Sequence, residues 1–116
     1  MQRGYLVWRQ WKFEVTLFYD DVDSDFYPVR VKLNLPVEET HDIFTDRTKT
    51  ISGYNVKLRE VDFAPVFRET LKRSLRDHGF RDDNNYYMFT WDSCRKTEIW
   101  LIYSEEENKF FLGILT

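Results

Sequence analysis

Three segments in the last third of the chain, YYMFTW (86–91), EIWLIY (98–103) and KFFLGIL (109–115), are apolar at almost every position. A strand with one wet face alternates polar and apolar residues. Strands without that alternation either have both faces covered or leave one face for a partner. DSCRKT and SEEENK separate the three as hairpin loops. The fold must therefore supply enough apolar material to cover a sheet. Aromatic residues make up 18% of the chain, so much of that cover is rings.

The one strong helical pattern lies just upstream. In DFAPVFRETLKRSLRDHGF, residues Phe63, Val66, Phe67, Leu71 and Leu75 recur at helical spacing. Asp62 is suited to the N-cap, Pro65 to the first turn and Gly79 to the stop, which predicts a helix over about residues 63–78.

Before the helix the period is two. Trp11, Phe13, Val15, Leu17 and Tyr19 share one face, opposite Lys12, Glu14 and Thr16. Val29, Val31, Leu33 and Leu35 alternate with Arg30, Lys32 and Asn34. These two strands are expected to form an antiparallel hairpin around DDVDSDFYP. In YLVWRQWKF (5–13) the phase slips near Arg9-Gln10, which predicts a bulge or a strand break. Pro36 ends the second strand, VEETHDIFTD is a short helix or turn, SGYN has turn chemistry and YNVKLREV is a further strand. The order ββ-β-α-βββ predicts a single α+β domain over residues 1–116. Its sheet is mostly antiparallel, with the main amphipathic helix packed on one face.

Charge is unevenly placed. Residues 1–46, 47–81 and 82–116 carry net charges of −4, +5 and −4 within a total of −3. A basic middle between acidic flanks predicts a two-signed surface. The N-terminus has no long apolar stretch with a small-residue cleavage site, and the single Cys94 suits a reducing compartment. Together these predict a cytoplasmic protein with no membrane partner.

Asp21, Asp23 and Asp25 alternate as at the start of a calcium loop. However, Phe26 stands where the turn glycine belongs and Lys32 where a bidentate glutamate belongs, so no metal is assigned. The plain reading is a solvated hairpin tip. The functional reading joins it to Asp20, Glu38, Glu39, Asp82, Asp83 and Glu105–Glu107 as an acidic surface for a basic partner. Arg68, Lys72 and Arg76 recur every four residues, with Arg73 beside them. They form either a phosphate-binding stripe or an ordinary solvated helix face, on which Glu69 can pair with Arg73. Trp8 and Arg9 are contact residues if the phase slip exposes them, and Trp8 is a core ring if it does not. Cys94, His41 and His78 have no spacing that makes a nucleophile pair, and four glycines make no phosphate loop.

These observations predict a small acidic, non-enzymatic interaction protein without a cofactor. An inhibitor, antitoxin or immunity-type binder would use Trp8, Arg9, Asp21, Asp23 and Asp25 against a partner protein with a basic surface. The alternative is a nucleic-acid-binding module using Arg68, Lys72, Arg73 and Arg76. A third reading is a β-rich cup for an apolar ligand, and a homodimer is compatible with each.

Overall fold

The computed structural model describes residues 3–10, 12–20, 25–34, 36–92 and 98–115. Two antiparallel sheets and one helix share a core. The smaller sheet has the order β1-β2-β3, with β1 at Arg3–Gln10, β2 at Phe13–Asp20 and β3 at Asp25–Leu33. The larger contains β4 (Arg47–Ile51), β5 (Tyr54–Val61), β6 (Phe80–Arg81), β7 (Tyr86–Asp92), β8 (Glu98–Ser104) and β9 (Lys109–Leu115), in the order β4-β5-β9-β8-β7-β6. The helix α1 spans Pro65–His78, and a short 3-10 turn covers Val37–Glu39. This is the expected α+β architecture, with three strands more than the pattern predicted.

The phase slip near Arg9 is a strand break and not a bulge. β1 and β2 are two strands, and Gln10 lies opposite Phe13. The reversal between Gln10 and Phe13 resets which residues face inward, so Leu6 and Trp8 join the face of Phe13, Val15 and Leu17. The true bulge lies elsewhere. Thr16 pairs with Arg30 and Leu17 with Pro28, so Val29 is the extra residue. Pro28 has no N–H to give a ladder, and a bulge on an edge strand is where proline is tolerated.

Helix α1 starts later than its apolar spacing implied. Ala64, ahead of Pro65, is extended at ψ 145° and serves as N-cap without a side-chain bond, so Asp62 is not the cap. The proline ring disfavours helical geometry in the residue before it, which moves the start to Pro65. Gly79 does end the helix, at φ −80° and ψ 168°, with its N–H donated to the Leu75 carbonyl. Its requirement is space, because a Cβ there would stand 2.6 Å from the Leu75 oxygen and 3.0 Å from the Met88 oxygen.

The main core lies between the sheets and against α1. Trp8, Val15, Leu17 and Val31 from the small sheet meet Phe67, Leu71 and Leu75 from the helix and Leu101, Phe110 and Leu112 from the large one. A second core lies on the other face of the large sheet. It comprises Ile51, Val56, Leu58, Tyr86, Met88, Trp100, Ile102 and Phe111, all from that sheet's own strands. Their burial follows from curling. Strands β4 and β7 are four strand spacings apart, about 19 Å in a flat sheet, yet the Lys49 ammonium is 5.7 Å from the Tyr86 ring centre. The continuous apolar pattern of 86–115 is thus satisfied on both faces within the chain.

Candidate functional site

Two regions gather the polar chemistry. The first is the end of the molecule where two acidic turns meet. The turn between β6 and β7 is built by Asp82, one of whose carboxylate oxygens accepts from the N–H groups of Asn84 (3.0 Å) and Tyr86 (2.9 Å). The other oxygen is buried with no protein partner among the described residues. Asn85, at φ 61°, and Asn108, at φ 55°, take the left-handed positions that asparagine tolerates. The Glu105 N–H donates to the Asn85 carbonyl at 3.1 Å, which fixes the β8–β9 turn beside the β6–β7 turn. Asp82, Asp83, Glu105, Glu106 and Glu107 therefore lie together.

Cations hold part of this group in place. Arg76 grips Glu105 with two guanidinium nitrogens, and Arg47 pairs with Glu107. Arg47 also holds the Glu107 carboxyl below its ordinary value of 4.5. Asp83 and Glu106 remain exposed, with no ion pair among the described residues. Strand β3 starts near the same end of α1, where the Ser74 hydroxyl donates to the Phe26 carbonyl and Tyr27 stacks on His78 at 4.2 Å. Asp25 begins β3 opposite Asp20. Asp21 and Asp23 lie outside the described residues.

The helix cations are not a free stripe opposite the core. Arg68 lies over Phe110 and donates to the Asn108 carbonyl; Lys72 lies over Tyr103 and reaches the Asn108 side chain at 3.4 Å. With Arg76 they fasten α1 to the β8–β9 turn. Arg73 pairs with Asp77 at 3.7 Å rather than with Glu69. His78, near the end of the helix, stacks on Tyr27.

The second region is the outer face of the small sheet. Glu14 accepts from Arg9 at 2.8 Å and from Arg30 at 2.7 Å, on strands either side of its own. Its carboxylate is covered while the two guanidiniums are largely in water. Tyr5 packs edge-on to Phe18 at 5.7 Å on the same face. Trp8 points the other way. It is 9% exposed and sits edge-on to Phe63 at 4.5 Å, so the phase slip makes it a core ring and not an open contact. Arg9 is exposed, and with Trp8, Gln10, Pro65 and Arg68 it borders a cleft of 510 Å³ at the start of α1.

Neither a family model, nor a curated protein, nor a solved structure matches this chain. The geometry therefore carries the functional argument. Among the described residues no three His, Cys, Asp or Glu side chains are placed to hold a metal ion, and no helix is long and apolar enough to cross a membrane.

The Glu14 pair has a measurable consequence. Hydrogen bonds from Arg9 and then Arg30 depress its carboxyl below the ordinary value of 4.5, and Arg47 does the same at Glu107. A carboxyl depressed by folding stabilises fully above its unfolded value and loses that effect as pH falls toward its folded value. Urea midpoints are thus expected to hold from about pH 7 to about pH 5 and to decline below that. Glu14→Gln flattens part of the decline; an unchanged slope removes Glu14 as a contributor.

Proposed function

We propose that this chain is a small non-enzymatic interaction protein that covers a basic site on a partner protein with its acidic end, as an inhibitor, antitoxin or immunity-type binder does. The observation that carries this reading is the junction of the two acidic turns through Glu105 and Asn85. Arg76 and Arg47 fix Glu105 and Glu107 before any partner arrives, which lowers the ordering cost of binding. Asp83 and Glu106 stand in water, where they steer a cationic surface. Asp25, at the start of β3, and Asp21 and Asp23 beside it in sequence, would extend the same contact.

The test is a pull-down from native lysate, followed by kinetics with the captured partner. Asp83→Lys with Glu106→Lys is expected to slow association about tenfold or more at low salt. A partner bound equally fast by the reversed variant would refute this role for the acidic end.

A second reading, nucleic-acid binding, draws support from a different place than the helix. Tyr5 and Phe18 share the outer face of the small sheet with Arg9 and Arg30, and stacking platforms combine rings with cations in this way. Binding of a single-stranded oligonucleotide that weakens steeply with salt supports it; no binding at low salt removes it.

A further inference from the structure

A sheet edge with free N–H and C=O groups invites another strand, so proteins guard their edges. Among the described residues this fold has four, and three are guarded. Strand β6 is two residues long. Strand β4 is five residues long and presents Arg47, Thr48, Lys49 and Thr50. Strand β3 carries Pro28 and a bulge, and α1 lies against it through Ser74 and His78. Strand β1 is neither short nor interrupted by a bulge, and Arg9 is the only charge among its described side chains. It runs eight residues in unbroken register with β2, contains no proline and presents Tyr5, Leu6 and Val7 at 69%, 36% and 44% exposure. Leu6 is on the core side of the sheet. Its cross-strand neighbour Leu17 is fully buried, so Leu6 is a core residue lacking cover on one flank.

We propose that β1 pairs with β1 of a second copy of this chain, antiparallel about a two-fold axis at Val7. The strand is self-complementary in that register. Val7 faces Val7 on the outer side, and Tyr5 of each copy faces Arg9 of the other, a ring opposite a cation. On the core side Leu6 of each copy faces Trp8 of the other, beside the 510 Å³ cleft that Trp8 and Pro65 border. No like charges face each other in these pairs. The two small sheets become one of six strands. Because each copy's other edges are guarded, pairing closes at two and does not propagate. This inference is independent of the acidic end.

Sedimentation equilibrium of the full chain over about 1–500 µM tests it. The expected result is a reversible monomer–dimer equilibrium. Val7→Lys places two ammonium groups opposite each other and weakens the dimer roughly tenfold or more, with an unchanged circular dichroism spectrum and, at dilutions where both proteins are monomers, an unchanged melting temperature. In a Cys94→Ser background, Val7→Cys gives an intermolecular disulfide under mild oxidation, and Thr48→Cys on β4 gives far less. A monomer at every concentration overturns the proposal, including a monomer whose edge captures a segment of another protein. A dimer indifferent to Val7→Lys, or one cross-linked equally at both cysteines, also overturns it.

Discussion

Trp8→Ala is expected to lower the free energy of unfolding by about 3–5 kcal/mol, the range for removing a buried large ring. The indole lies edge-on to Phe63 at 4.5 Å and tilted against Phe67 at 6.3 Å, where the small sheet meets the start of α1. Truncation opens a cavity lined by rings, and such rings relax only partly into it. Arg9→Ala, one residue on, costs about 1 kcal/mol or less, because its guanidinium is solvated and Arg30 still serves Glu14. Urea unfolding of both variants measures the contrast. Equal small losses would place Trp8 outside the core and return it to the surface role that its sequence context allowed.

Gly113→Ala should be the most damaging addition of a single methyl group in the large sheet. A Cβ at Gly113 would sit 2.6 Å from Val56 Cγ1 and 3.3 Å from both Ile102 Cδ1 and Leu58 Cδ2. The curl draws β5 and β8 against β9 at this point, and the short, buried Val56 has no room to swing aside. Overpacking of this kind costs about 1–3 kcal/mol, which corresponds to roughly 5–15 °C in melting temperature for a domain of this size. Adding Val56→Ala to the same chain should recover part of the loss, since the two side chains contest one volume. A Gly113→Ala protein that melts with the parent would mean that the curl is looser than described.

The strands and the helix were legible wherever one face meets water. Alternation identified β2, β3 and β5, and the spacing of Phe67, Leu71 and Leu75 identified α1. The errors arose where a short turn resets the pattern. The reversal between Gln10 and Phe13 flips the parity of everything before it, so Trp8, open in the sequence between a contact and a core ring, faces inward. Pro65 displaced the helix start past Asp62 by its effect on Ala64.

The polar site was less legible, because its pairs are distant in sequence. Arg76 with Glu105 and Arg47 with Glu107 join segments that only the sheet order brings together. The triple-glutamate run reads as part of an acidic surface, yet Arg76 and Arg47 hold two of its members. One clue was present: Arg68, Lys72 and Arg76 fall within one turn of Leu71 and Leu75, close to the boundary of the buried face. The clamp on Glu14 had a clue as well, since Glu14 and Arg30 sit on outward positions of two strands expected to pair.

The strand order of the large sheet also bears on how the chain is made. Strand β9 lies between β5 and β8, and Val61 waits for Phe110 before its ladder can form. During synthesis the strand partners of the small sheet all emerge within residues 3–33, while β4 and β5 emerge as a lone hairpin with no central neighbour. Until β9 clears the ribosome, Val56 and Leu58 have no β9 to pair with. That interval is when a chaperone would find the most to hold, and a stall before residue 109 would leave both sheets without Phe110 and Leu112 in their shared core.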